Sequence, residues 1–549
     1  MSRPWPLAAH PERVAEHATH LADDAVLGLI MLSFAGLNVP VEIRERLKRH
    51  PVAGVTLFRF LNNGSPSQVR ALTDEFQAGG ARTGGPLLVA ADQEGGQLIA
   101  FSDGTTPFAG NMALAATGDL ELAERVGRAN GLELRAMGIN VNFAPVCDVA
   151  TDPADPALGI RAFGDDPELV GRFVAATVRG LQSAGVAATL KHFPGKGDVA
   201  VDTHHELAVV PHGRERFDAV ELVPFRAGIA AGARLVMSGH FAVPGLTGSA
   251  TLPSTLSRTV MHDLLRDELR FDGLAISDAL DMRALAQGPM LILEVVAAVR
   301  AGLDLLLCLE PGGRARIEEG LLHAAGRLLF ERRALRPPLE RIDALSRWLA
   351  GFEQPGLEVV GCGEHGALAR DLAERSITLV RDESRLLPLR LPDGARIAAV
   401  MPRPSDLTPA DTSSAVAPGL AGALRAHHRL VDEFLVEARP SDAEIVATRD
   451  AVRDHDLLVV GTLSASLQSE QVGLVQALLG AGIPTVTVAL RTPFDLAAYP
   501  QASTHVCSYG ILPPSMKALV AALFGRIPFR GRLPAAIPGV YPTGHRLEC

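Results

Sequence analysis

At 549 residues the chain is too long for a single hydrophobic core and suits two or three domains. Its 47% hydrophobic and 21% charged residues match ordinary globular proteins and exclude a disordered chain. A formal charge of −10, with no Lys/Arg run, argues against a nucleic-acid partner, because phosphate backbones call for a concentrated basic surface.

In chain order, the N-terminal MSRPWPLAAHPERVAEHATH lacks the basic-then-apolar layout of a secretory signal. Apolar runs follow at 28–34 (GLIMLSF), 52–58 (VAGVTLF), 86–92 (PLLVAAD) and 139–146 (INVNFAPV), the last just after Gly138. The clearest unit spans 165–198. Asp166 is placed to cap a helix with Pro167 at its first position, and Leu169, Val170, Phe173, Val174, Val178 and Leu181 recur at helical spacing. Gly185 suits the left-handed residue that ends the helix, and VAATLKHF (186–193) follows as a strand. Gly232, Gly273 and Gly302 precede three further runs at 233–240, 274–279 and 303–309. These eight runs are apolar throughout rather than alternating, as in a parallel sheet covered on both faces. Eight β/α units in about 310 residues point to a (β/α)8 TIM-type barrel over 1–335, with a doubly wound open sheet as the alternative. Residues 336–372, with Pro355, Gly356, Gly361 and Gly363, read as a linker containing a helix. Residues 373–549 read as a smaller open α/β sandwich. Its strands are SITLV, RIAAVM, DLLVVGT, TVTVAL and THVCSY, with helices near 442–453, 468–481 and 514–525.

No apolar run reaches the roughly 20 residues that span a bilayer, so no membrane partner is expected. Cys147, Cys308, Cys362, Cys507 and Cys549 stand far apart and form no CxxC pair. That spacing suggests neither a zinc site nor a disulfide framework, and reduced thiols in a cytoplasm are the simpler expectation.

In such a barrel, polar residues at the C-terminal strand ends face the mouth where chemistry occurs. The expected strands end in Asp92 and Glu94, Asp148, Lys191 and His192, His240, and Asp278. Ionisable groups directly after buried strands are costly unless they face a cleft, and five converging ends indicate a functional mouth. Glycosidic cleavage needs an acid at the leaving oxygen and a nucleophile or base across the sugar. Asp278 is placed to be the nucleophile; capping the next helix is an equal reading from spacing alone. The Gly/Pro-broken segment KHFPGKGDVAVDTHHEL holds Asp198, Asp202, His204, His205 and Glu206. Asp202, two residues from His204, could fix the imidazole tautomer and leave the other nitrogen to exchange a proton near neutral pH. A merely polar loop is the alternative, as is a metal site built from His192, Asp198, His204 and His205, although that spacing matches no standard zinc pattern.

At these residues the chain resembles glycoside hydrolase family 3, in its bacterial β-N-acetylhexosaminidase branch. The resemblance rests on DQEGG (92–96), NMALAATGD (111–119), NFAPVCDV (142–149), RAFGDDP (161–167), KHFPGKGD (191–198), DTH (202–204) and SDALDM (277–282), and it extends over nearly the whole chain. It implies Asp278 as catalytic nucleophile and His204, paired with Asp202, as acid/base. Asp92, Arg161, Lys191 and His192 would hold the hydroxyls of the non-reducing sugar, with no metal or organic cofactor. The implied substrate is a small carbohydrate with terminal N-acetylglucosamine, such as a peptidoglycan fragment. Phosphorolysis of the same bond, a β-glucosidase or β-xylosidase of the same family, and a sugar-binding protein without turnover are the alternatives. Gln97, Ala162, Lys196 and Ala208 depart from the family's usual Arg, Ser, His and Pro. Gln97 and Lys196 put the match on the leaving-group side in doubt.

Overall fold

The computed structural model describes residues 24–80, 85–199, 206–285, 287–308, 311–330 and 332–547. Eight strands form one parallel sheet: β1 (Ile30–Leu32), β2 (Gly54–Thr56), β3 (Leu88–Ala91), β4 (Val141–Asn142), β5 (Ala187–Phe193), β6 (Leu235–Ser238), β7 (Leu274–Ser277) and β8 (Leu306–Leu307). They neighbour one another in chain order from β1 to β7, and β8 lies beside β1. A parallel bridge between Ile276 and Leu305, with Ser277 N donating to Leu305 O at 3.0 Å, joins β7 to the start of β8. The sheet therefore curls into a barrel, and each of the eight expected runs contains one strand. All eight strands are buried along their full lengths, which accounts for their unbroken apolarity.

The unit at 165–198 shows why the sequence folds this way locally. The Asp166 carboxylate accepts from Glu168 N and Leu169 N at 3.0 and 3.4 Å, opening the helix Pro167–Ser183. Val170, Phe173, Val174, Val178 and Leu181 are buried along one face of that helix. Gly185, at φ +76°, turns the chain into β5 in a conformation that a side chain would strain.

Helices Arg336–Leu349 and Gly363–Ser376 lead into a second sheet. Its strands are β9 (Thr378–Asp382), β10 (Ile397–Pro402), β11 (Val431–Val436), β12 (Leu457–Thr462), β13 (Thr485–Ala489) and β14 (Thr504–Cys507). The spatial order is β9-β14-β13-β12-β10-β11, parallel except for β9, which runs antiparallel to β14. The strand β11 is an addition to the five expected from sequence. Its segment VDEFLV exposes Asp432 and Glu433, so it carries no apolar run, and its edge position explains both its charge and its tolerance of water.

Alternation along β10 and β12 binds the two sheets into one molecule. Ala398, Val400, Leu458 and Val460 join the hydrophobic cluster that continues through the barrel. Ile397, Ala399, Met401, Leu457 and Val459 point to the other face and form a second core with Val486 and Val488. The face nearer the barrel thus brings the loop after β10 against the barrel mouth. There Thr412 N and Thr412 Oγ1 donate to Gln97 O at 2.8 and 3.0 Å, and Ile99 N donates to Thr412 Oγ1 at 3.2 Å.

Candidate active site

The barrel's C-terminal rim holds a cavity of ≈ 140 Å3. Asp92 follows β3, Lys191 and His192 lie near the end of β5, and Asp278 follows β7. Arg161 enters from the short turn Gly159–Arg161, and all five line the cavity together with Lys196. The structure therefore brings together Asp92, Arg161, Lys191, His192 and Asp278. Asp202 and His204 lie outside the described residues. His240, also at a strand end, does not line the cavity: its Nδ1 is bonded to Thr255 Oγ1 at 2.7 Å and its Nε2 meets Ala279 O at 3.0 Å. It steadies the backbone beside Asp278.

The charged groups form a clamped network. Lys191 Nζ lies 2.6 Å from both Asp92 Oδ1 and Glu94 Oε1. Arg161 donates to Glu94 through Nε at 2.9 Å and Nη2 at 2.8 Å, a bidentate pair whose side chains are 3% and 1% exposed. Glu94 thus holds two cations that face the cavity. Although burial opposes its ionisation, Arg161 and Lys191 hold its carboxyl down at about 2. Burial pushes the carboxyl of Asp92 up, the charges of Glu94 and Asp278 add to that, and Lys191 opposes it. Lys191 itself is raised: burial works against its charge, but Asp92 and Glu94 outweigh burial.

On the opposite flank His192 Nδ1 donates to Asp148 Oδ2 at 2.7 Å, while Asp148 Oδ1 accepts from Lys196 N at 3.0 Å and from His192 N at 3.3 Å. Burial depresses the His192 imidazole to about 4, so a neutral ring anchored by Asp148 faces the site at pH 7. The loop carrying Lys196 is fixed by close backbone packing. Gly197 O accepts from Thr151 N and Asp152 N, each at 3.1 Å. A Cβ on Gly197 would lie 1.6 Å from Val149 O, so glycine is required there.

Asp278 accepts from Ala279 N through Oδ1 at 2.8 Å and is followed by turns rather than a helix. Capping the next helix is therefore not its role; the next helical turn begins at Gly288. Of the residues weighed as metal ligands, His192 pairs with Asp148 and Asp198 with His212 Nε2. Sequence reasoning missed the functional weight of Glu94, which lies two residues from Asp92 on the same rim. It also missed Pro409, Ala410 and Thr412, which reach the cavity from the second sheet. No local pattern in the chain marks that contact. Phe58 and Phe60, stacked with centroids 5.6 Å apart, add an aromatic wall, and Phe60 remains 69% exposed.

Such a site can hold the hydroxyls of a sugar between paired carboxylates and cations, with one carboxylate, Asp278, at the cavity wall. The model of the glycosyl hydrolase family 3 N-terminal domain matches residues 22–332. The chain belongs to glycosyl hydrolase family 3. A family 3 β-N-acetylglucosaminidase from Paenibacillus sp. str. FPU-7 superposes with a TM-score of 0.86 at 34% identity, over 94% of this chain and 98% of that one. A β-hexosaminidase of Stenotrophomonas maltophilia (strain K279a) is 39% identical over 307 residues, 55% of this chain and 88% of that protein. A β-N-acetylglucosaminidase/β-glucosidase of Cellulomonas fimi is 32% identical over 488 residues, covering 82% and 83%. As a family 3 member the chain is a glycoside hydrolase, with the barrel and α/β sandwich expected from its sequence. Among the described residues no helix is long and apolar enough to cross a membrane.

Proposed function

We propose that this family 3 enzyme is a retaining β-N-acetylhexosaminidase that removes terminal N-acetyl-β-glucosamine, including from peptidoglycan fragments in the cytoplasm. In this reading Asp278 attacks the anomeric carbon while His204, oriented by Asp202, protonates the departing oxygen. The same imidazole then deprotonates water, which releases the sugar with its β configuration retained. Asp92, Arg161, Lys191 and His192 hold the sugar's hydroxyls. The observation that carries the reading is the convergence of Asp278 with Asp92, Arg161, Lys191 and His192 on one sugar-sized cavity. The acetamido preference rests on the names of the relatives and on the DTH segment at 202–204.

A panel of aryl glycosides tests it. Wild type should turn over aryl N-acetyl-β-glucosaminide well above aryl β-glucoside. Asp278→Ala should lower kcat by about 1000-fold or more. Turnover of aryl glucoside alone would move the enzyme to the β-glucosidase reading. Undiminished product from Asp278→Ala would remove that residue from the nucleophile role.

A further inference from the structure

Among the described residues Phe60 is the one Phe, Trp or Tyr whose ring stands exposed, and it stands on the cavity that holds Asp278. The ring is held in place. It lies on the single helical turn Arg59–Asn62 that follows β2 at the barrel rim. Asn62 is fully buried and pins that turn: its Nδ2 donates to Phe34 O and Gly36 O, each at 2.9 Å, and its Oδ1 accepts from Phe58 N at 3.1 Å. Arg59 Nη1 donates to Ser102 Oγ at 2.8 Å, which ties the turn to the segment after β3. Phe58 packs against the barrel core and backs the Phe60 ring, with the two planes 24° apart. A large aromatic surface fixed in water is unfavourable unless something covers it.

Depth assigns the side of the scissile bond. Arg161, Lys191 and His192, the groups that would grip the hydroxyls of the terminal sugar, are buried at the floor of the cavity. Phe60 is at its outer lip, where the departing half of a substrate cleaved from its end must lie. Leu98, Pro409 and Ala410 border the same cavity and add uncharged apolar surface. The geometry points to Phe60 as the platform of a leaving-group subsite that takes the apolar face of a second, β-linked pyranose ring. A pyranose with equatorial hydroxyls turns axial C–H groups toward each ring face, and these stack on an aromatic face through dispersion and the ring quadrupole. Stacking reads the ring face and not a hydrogen-bond pattern, so the subsite tolerates varied substituents on that second sugar. This inference rests on the glycosidase reading and deepens it by naming what the leaving group must carry.

The test compares the β-1,4-linked disaccharide of N-acetylglucosamine with methyl N-acetyl-β-glucosaminide, whose leaving group has no ring, by the N-acetylglucosamine released. The enzymes are wild type, Phe60→Ala, Phe60→Leu and Phe60→Trp. Phe60→Ala and Phe60→Leu should each lower the ratio of kcat/KM for disaccharide over methyl glycoside by about fivefold or more, and Phe60→Trp should keep it. Leucine retains an apolar side chain without the flat face, so loss in both variants separates ring stacking from simple apolar cover. Binding gives a second readout. In an Asp278→Ala background, which keeps the disaccharide intact, adding Phe60→Ala should raise its calorimetric Kd by a similar factor and that of the methyl glycoside by less. The proposal is overturned if Phe60→Ala lowers both substrates by the same factor, or if Phe60→Leu retains the wild-type ratio. Failure of wild type on both N-acetylglucosaminides would sink the acetamido reading. The same ratio and titration, taken with a β-1,4-linked glucose disaccharide and methyl β-glucoside, would then decide the platform.

Discussion

Glu94→Gln keeps the side chain's shape, removes its charge and replaces one accepting oxygen by an NH2 that faces the donors of Arg161 or Lys191. Glu94 accepts two bonds from Arg161 and lies 2.6 Å from Lys191, and its side chain is 1% exposed. Being held at about 2 rather than the ordinary 4.5 is worth roughly 3 kcal/mol, at about 1.4 kcal/mol per tenfold change in proton affinity. That agrees with the roughly 3–5 kcal/mol expected when one partner of a buried ion pair is removed. Because the folded value is depressed, this stabilisation is complete above about pH 4.5 and fades as pH falls through 2. Denaturant unfolding of wild type and Glu94→Gln should therefore show a gap of about 3 kcal/mol at pH 7 that narrows below pH 4.5. The KM for aryl N-acetylglucosaminide should rise as well, since Arg161 and Lys191 lose the group that orients them. A gap below about 1 kcal/mol at pH 7, or the same gap at pH 7 and pH 2.5, would refute the account of Glu94 as the clamp.

Two other substitutions probe the neighbouring structure. Burial raises Asp155 to about 6, so its contribution to stability is complete below the ordinary 3.8 and is lost as pH rises through 6. Asp155→Asn keeps an oxygen for Ala157 N and Leu158 N and should stabilise the protein by about 1–3 kcal/mol at pH 7.5 but not at pH 3.5; thermal melts at the two pH values check this, and a loss at both would contradict it. Asp411 lies 2.9 Å from Arg491 Nη2, with side-chain exposures of 0% and 2%, and accepts from Leu407 N and Ser413 N. Asp411→Asn leaves Arg491 buried without its counter-charge, at a cost of roughly 3 kcal/mol. It should also raise KM, because the loop it ties carries Pro409, Ala410 and Thr412 to the cavity; lower stability with an unchanged KM would show that this loop plays no part in binding.

The barrel was legible because each strand is fully covered and therefore reads as an unbroken apolar run, and because Asp166 and the left-handed Gly138, Gly185, Gly232 and Gly302 mark several of the helix ends. The edge strand β11 was not, since water on one side removes the pressure for apolar residues at Asp432 and Glu433. The rim residues Asp92, Lys191, His192 and Asp278 stood out as charges placed immediately after buried segments. Pairing was not legible. Nothing in the spacing says that Glu94 faces Arg161 67 residues away or that Asp148 anchors His192 44 residues away. Those contacts arise from barrel closure, which brings successive strand ends to one rim. The same holds for Lys196, which the sequence marks only as a departure and which packing places, 4% exposed, at the cavity wall.

The pairing pattern has a consequence for charge. Around the sugar position Arg161 and Lys191 are paired with Glu94 and Asp92, and Asp278 lies near enough to Asp92 for its charge to act on it. Burial and the charges of Glu94 and Asp278 all raise the proton affinity of Asp92, and Lys191 counters them. Carboxylates crowded together at a buried rim oppose one another at rest and become favourable when positive charge develops at an anomeric centre. Glycoside cleavage passes through such an oxocarbenium-like state. Placing Glu94 behind Arg161 and Lys191 therefore has two effects. In the proposed glycosidase reading it fixes the groups that would grip the hydroxyls and offsets their charge, so that Asp92 and Asp278 would present a negative face to the reacting carbon. A cation-free clamp would protonate, and a clamp without Glu94 would neutralise the very carboxylates that the transition state needs.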